Sequence, residues 1–508
     1  MAVGRSSRPS RTRISAPSSA ASRLASGEST AGSVRDWLNV HDFGAQGDGG
    51  TDDTAAIQAA LATAPMGGIV YLPAGAYRTS APLTIPPAVT LMGTHTNLMT
   101  VPGLTDPPCY IKPLPSFAGA ALILLLDAAA GGYSTISAEH RILNVMIDGQ
   151  DLPALPPVDG LSAKGNIQNV GLRDFTVRQC TGNGIYCGEN EGINPYSWRL
   201  HRVMLDNNCG HGLSVQVMTD LTMGDCRAIG NWASGFSIVN AANSLASMCR
   251  AEWNGNHGIH ITGDWADGTG AGGILLSGRS TDRNGWHGVC VDAAGTPPIQ
   301  ISGLHTRRDG RNGGLGIAAA TTPVLVSNMT CYPGTDDNGS QTSSPQYELA
   351  VTGAATLVQV DDAYLHAATQ GLYSTSTGTL VIGAGVTEAT GPTDAPVRTP
   401  PVATSSKGLV ITAPAGAATY VIWRAPKACT VTAVRGYRVG GSGASINAQK
   451  NVADLLATDL PLSTPATWLS GPSVQNATFN AGDTLSVAVR SVTGSPAAVT
   501  VQVDVQGV

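Results

Sequence analysis

The stretches NWASGFSIVN (231–240), NGNHGIHITG (254–263) and NGWHGVCVDA (284–293) share one punctuation: Asn, three residues, Gly, then an apolar residue. Read outward from them, the turn glycine recurs at Gly184, Gly212, Gly235, Gly258, Gly288 and Gly316, and Asn stands four before it at Asn208, Asn231, Asn254, Asn284 and Asn312. Ile185, Leu213, Phe236, Ile259, Val289 and Ile317 follow the glycines. Alternating runs such as RLHRVML (199–205) and DLTMGDC (220–226) precede the asparagines, with the period of two that marks strands.

A unit of fewer than about 30 residues that holds strands and turns but no helix cannot bury its apolar face alone. It predicts a solenoid, a parallel β-helix in which each unit is one coil stacked about 4.8 Å above the last. Equivalent side chains then form ladders. Asn is expected at one corner because it tolerates left-handed backbone and bonds to its counterpart a coil away. Gly is expected at the next because positive φ costs it nothing. VDGLSA (158–163) and TQGLYST (369–375) extend the rod to either side.

Composition agrees. Of 508 residues 62 are Gly and 31 Pro, with 13% charged and 5% aromatic, which excludes a helical bundle. Five of the 29 basic residues, Arg5, Arg8, Arg11, Arg13 and Arg23, precede the first acid, Glu28; the remaining 24 face 35 acidic residues. The body is therefore acidic and mismatched to nucleic acid. No run of 18 apolar residues exists; ALILLL (121–126) reads as a strand, so no membrane partner is expected. The nine cysteines have no C-x-x-C spacing and read as small buried hydrophobes rather than disulfides or zinc ligands. No cofactor and no metal is expected.

Residues 1–38 read as a flexible basic arm without a signal-peptide core. Asp53 or Thr54 caps a helix running to about Ala64 with an Ile57/Leu61 stripe, the lid that an open solenoid end needs. The run Asp42-Phe43-Gly44-Ala45, Gly47-Asp48-Gly49, Thr51-Asp52-Asp53-Thr54, Ala56-Ile57, then Val70-Tyr71-Leu72-Pro73-Ala74-Gly75 and Tyr77 resembles the opening signature of the pectate lyase superfamily. That resemblance implies an all-β chain: a right-handed parallel β-helix over 39–386 with an N-terminal capping helix. After a Pro/Thr-rich linker (387–408), residues 409–508 alternate between turns as an antiparallel β-sandwich, similar to small terminal domains of phage tail proteins that serve trimerisation or glycan binding. Asp48, Asp52 and Asp53 belong to the turn and cap.

Glycoside hydrolysis uses two carboxylates about 5.5 Å apart to retain or about 6.5–9.5 Å apart to invert. Coils spaced by about 4.8 Å supply either separation. Asp206, Glu252 and Asp282 stand six before their glycines and are the candidate catalytic column, or a solvated turn edge. His211, His257 and His287 stand just before their glycines, as sugar contacts and proton donors or as surface hydrogen-bonding groups. Trp253 and Trp286, with Trp232 and Trp265, offer rings for sugar faces, and Glu189 and Glu191 lie in a loop (GENEGINPYSW, 188–198) that overhangs the groove with Tyr196 and Trp198. Arg227, Arg250 and Arg308 align eight before the glycine, as lyase bases or as salt-bridging groups. GHGLSV (210–215) resembles the Gly-His-Gly of polygalacturonases, but the carboxylate that should precede it falls at Asn183–Gly184, where none stands.

The expectation is a bacteriophage tailspike or tail fibre, a homotrimer assembled in the host cytoplasm and carried on the virion. Its arm meets tail or baseplate proteins, and its rod binds host surface polysaccharide, with pure receptor binding and depolymerisation both left open by the sequence. The alternative is a non-phage polysaccharide lyase or glycoside hydrolase.

Overall fold

The computed structural model describes residues 37–94, 109–126, 139–165, 167–188, 194–264, 272–295, 297–310, 313–318, 322–335, 343–353, 355, 357–390 and 404–506. The arm (1–36), Glu189, Glu191, Trp265 and Asn312 lie outside them.

Between Trp37 and Thr390 strands pair in parallel with the strand one coil on, apart from a short antiparallel pair, Gly334–Thr335 with Ser343–Ser344, and Thr54–Thr63 is the one α-helix among the described residues. The expected parallel β-helix is thus the fold. Eleven strands, from Leu83–Ile85 to Gln370–Ser374, form one wall. Its register stacks Leu161, Ile185, Leu213, Phe236, Ile259, Val289 and Leu315 in a single inward column. These side chains are buried in one continuous core, at about 1.5–3 kcal/mol of hydrophobic stabilisation each. A 21-stranded sheet makes the other walls. It bends at Asp174, Arg202, Asp225, Met248, Gly278, Gly303, Asn328 and Asp362, all left-handed. Asn, Asp and Gly fill most of that bend because they accept positive φ at low cost.

The asparagines do stack, but not for the backbone reason expected. Asn208, Asn231, Asn254 and Asn284 point inward and are essentially buried. Asn208 Nδ2 donates to Asn231 Oδ1 (2.9 Å), Asn231 to Asn254 (2.9 Å) and Asn254 to Asn284 (2.8 Å), and each Oδ1 also accepts the backbone N–H of the previous asparagine. The left-handed residue is the one before: Asn207, Gly230, Trp253, Arg283 and Arg308. The turn glycines are likewise needed for space rather than for positive φ. A Cβ on Gly258 would lie 2.6 Å from the Gly288 carbonyl oxygen and 2.8 Å from Asn284 Nδ2. The missing side chains make room for the amides.

One coil departs from the expected spacing. His287 pairs with Gly313 and Val289 with Leu315, so Gly314, not Gly316, continues the glycine column. The turn there is one residue longer, and Asp309 takes the asparagine's place, accepting from Asn284 Nδ2 (2.7 Å), Asn284 N (3.1 Å) and Thr281 Oγ1 (2.5 Å). A coil later Glu348 replaces the glycine itself; its buried carboxyl accepts from Thr306 Oγ1, and burial pushes its pKa well up.

Helix Thr54–Thr63 covers the rod's end with Ile57, Ala60 and Leu61 buried. Its first amide donates to Asp52 Oδ1, while Asp53 accepts from Gln46 N and Gly47 N. The first strand, Trp37–Asn39, and the last of the rod, Thr387–Thr390, overrun the expected arm and linker by a few residues. Residues 404–506 form two antiparallel sheets of five strands around a separate core that includes Val431, Ile446, Phe479, Val487 and Val501. No helix among the described residues is long and apolar enough to cross a membrane.

Burial raises the Asp309 pKa to about 7, against the hydrogen bonds from Thr281 and Asn284 and with a push from Asp282. An unfolded aspartate titrates near 3.8. The ladder's end is therefore fully stabilising below that value, and stability is lost as pH rises from about 4 through about 7. Asp309→Asn should keep the bonds without the charge: its melting temperature should gain on the parent's between pH 5 and pH 8, as thermal unfolding at both pH values will record.

Candidate functional site

Two columns border the corner that follows each long strand. The acidic one reads Asp148, Arg178, Asp206, Ile229, Glu252, Asp282, Arg307 and Tyr332. Glu252 and Asp282 are direct register partners, as expected, and Asp206 is two coils from Glu252. They are not open carboxylates. Asp282 accepts from Arg308 Nε (3.0 Å) and Nη2 (2.5 Å) and from Arg283 Nη1 (2.8 Å), Glu252 accepts from Arg250, and Asp206 accepts from Asn207. Arg227 and Arg250 are register partners, but Arg308 is not in their column; the longer turn shifts it beside Arg283 and onto Asp282.

The second column lies across the corner: Asn183, His211, Ser234, His257, His287, Gly313, Tyr347 and Gln370. His257 and His287 stack with ring centroids 5.5 Å apart and planes at 3°. His211 Nδ1 accepts from Ser234 N (3.1 Å) and His257 Nδ1 from His287 N (3.4 Å), so the ladder is tied to the backbone. Burial lowers all three pKa values, that of His257 to about 3 with further repulsion from His260 and His287. All three imidazoles are neutral at neutral pH.

Trp232, Trp253 and Trp286 project from the turns between the two columns and are 72%, 41% and 53% exposed. Trp286 meets His257 edge-on at 6.0 Å, and Trp253 carries the Arg283 guanidinium at 4.4 Å. Trp198, expected in the overhanging loop, is instead buried in the core with its Nε1 donating to Ile167 O.

The sequence reading missed five neighbours. His260 and Cys290 are register partners on the outer side of the wall, and His260 Nε2 lies 3.1 Å from Asp292 Oδ1. Partial desolvation raises the pKa of the Asp292 carboxyl, but bonds from His260 and Thr262 hold it below the usual range. Tyr347 and Tyr373 stack at 4.3 Å and, with His287, Gly316 and Thr352, line a cavity of about 220 Å³. The signal was in the opening motifs, where His260 and Cys290 each stand two after the glycine, between two inward apolar residues. A larger recess of about 430 Å³ on another wall is lined by Ser277, Ser302, Ser327, Gln300, Gln359 and Asp361, among others, and Asp361 accepts from Gln359.

The capped parallel β-helix thus carries an edge lined by histidines and tryptophans. Residues 37–106 match the family described as rhamnogalacturonase A/epimerase, pectate lyase-like. The chain is 28% identical over 284 residues to the mannuronan C5-epimerase AlgE5 of Azotobacter vinelandii, covering 50% of this chain and 26% of that protein. It is 27% identical over 253 residues to the capsule K30/K69-specific depolymerase 1 of Klebsiella phage K5-2, covering 44% of this chain and 30% of that protein. The aligned part thus spans less than a third of either relative. Among solved structures, the A-module of the Azotobacter vinelandii epimerase AlgE4 superposes with a TM-score of 0.48 at 18% identity, over 68% of this chain and 97% of that one.

Asp282 and Glu252 should differ in kind. Asp282→Asn strips a nearly buried arginine of its carboxylate and should cost about 2–4 kcal/mol of stability, whereas Glu252→Gln, which frees the half-exposed Arg250, should cost under about 1 kcal/mol. Chemical denaturation of both variants checks the contrast.

Proposed function

We propose that this chain is a tailspike-type protein of a bacteriophage that binds host surface polysaccharide along the Trp253/Trp286 and His257/His287 edge and cleaves it there. The observation that carries the reading is the His257/His287 pair stacked on adjacent coils with the exposed Trp253 and Trp286 in the turns beside it, since an extended polymer can lie along rings presented by successive coils. Similarity to a phage capsule depolymerase supports the same reading. Glu189 and Glu191 complete the proposed substrate-binding set. The arm is the proposed attachment to tail or baseplate proteins on the virion. An outward apolar pair on adjacent coils, Leu245 and Leu275, supports packing against further copies in a homotrimer.

For the chemistry, the imidazoles and the tyrosine pair beside the cavity are groups suited to proton abstraction, and an elimination needs no pair of free carboxylates. The second reading is hydrolysis on Glu252 with Asp282 or Asp206. It is favoured by their register and requires Glu252 to release Arg250. Similarity to mannuronan C5-epimerases favours a non-phage polysaccharide-modifying enzyme as the alternative source.

The test is incubation of the full chain with a panel of bacterial capsular polysaccharides and mannuronan, scored for new reducing ends and for ultraviolet absorbance of an unsaturated product. Cleavage with both signals is expected. Trp286→Ala should weaken binding about tenfold, or about 1.4 kcal/mol, and His287→Ala should abolish cleavage. Reducing ends without absorbance, lost in Glu252→Gln, would replace elimination by hydrolysis. Unchanged binding in Trp286→Ala would remove this edge as the track.

A further inference from the structure

Cys209 is the exposed cysteine of the rod, and the buried ones divide into two kinds. Cys109, Cys180, Cys187, Cys226, Cys249 and Cys331 belong to the hydrophobic core, as small buried hydrophobes should. Cys290 does not. Its strand neighbours Val289 and Val291 face inward, so by strand alternation the Cys290 thiol lies on the outer side, beside His260.

We propose that His257, His260 and Cys290 bind a divalent metal ion of the zinc class on the outer face of the rod. Each residue offers a ligand atom, and these atoms lie within 4.8 Å of one another. A tetrahedral ion with bonds of about 2.0–2.3 Å holds its ligands roughly 3.4–3.6 Å apart, a closure reached by side-chain rotation on a fixed wall. Two imidazoles and one thiolate select zinc or cobalt over calcium and magnesium, which prefer oxygen. His260 Nε2 faces Asp292 Oδ1 at 3.1 Å, the carboxylate that orients a metal-bound imidazole and leaves Nδ1 for the ion. His257 Nδ1 is engaged with the His287 amide, which leaves Nε2. Three protein ligands leave a fourth position for water or a ligand oxygen. Binding converts the thiol to a metal thiolate and releases one proton to solvent. Because His257 and His260 come from one coil and Cys290 from the next, the ion also ties two coils together.

The site shares His257 with the proposed polysaccharide edge but does not rest on cleavage, and its test contains no glycan. The full chain, stripped with a chelator, is titrated with cobalt(II). A stoichiometric, tetrahedral d–d spectrum with a thiolate-to-cobalt charge-transfer band is expected, displaced by zinc(II), which should also raise the melting temperature. Cys290→Ser should lose the charge-transfer band and His260→Gln should weaken cobalt affinity at least tenfold. Cys209→Ser, which removes the exposed thiol, should retain both features. If Cys290→Ser does not fold, His260→Gln carries the test. No cobalt spectrum, or a charge-transfer band lost in Cys209→Ser rather than in Cys290→Ser, overturns the proposal.

Discussion

The rod depends on a chain of buried amides. An asparagine side chain both donates and accepts, so identical residues one coil apart satisfy each other without a charge, and each oxygen takes the previous backbone N–H as well. One such bond is worth about 1 kcal/mol net, but removing a link orphans partners in a dry interior, which costs more than the bond gains. The glycine column is the other half of the device, because any side chain there would occupy the space of the amides. The pair of columns sets coil register, and register then sets which outward residues meet.

Much of this was legible before any coordinates. The period, the asparagine ladder, the apolar column after the glycine, the capping helix and the acid-to-acid register of Glu252 with Asp282 follow from spacing alone. The left-handed corner was not legible, because Trp253, Arg283 and Arg308 share no chemistry that announces positive φ; their neighbours hold them there. The misplaced coil has a simple cause. Three glycines within Gly313–Gly316 offer competing registers, and the ladder residue changed from Asn to Asp at Asp309 just where the turn lengthened. The glycine position moves by two residues, to Gly314, and the acidic and arginine columns before the lengthened turn by three, to Arg307 and His305, which is why Arg308 was misassigned.

The site was half legible. The histidine column could be read from the repeat, but ion pairs could not: Asp282 is engaged by its chain neighbour Arg283 and by Arg308 from the next coil. His260 and Cys290 were hidden because in a strand the residues between two core positions draw little notice, although alternation puts them on the face where chemistry happens. The consequence is an edge with neutral imidazoles and exposed rings on one side and guanidinium-paired acids on the other.

The account's central claim is that coil stacking builds a polysaccharide track on that edge. A crystal structure of the chain with an oligosaccharide from its cleaved polymer tests it most directly. The account predicts successive sugars lying along the rod axis against Trp253, Trp286, His257 and His287. Sugars seated instead in the serine-lined recess around Ser302 and Asp361, with the histidine edge bare, would contradict it.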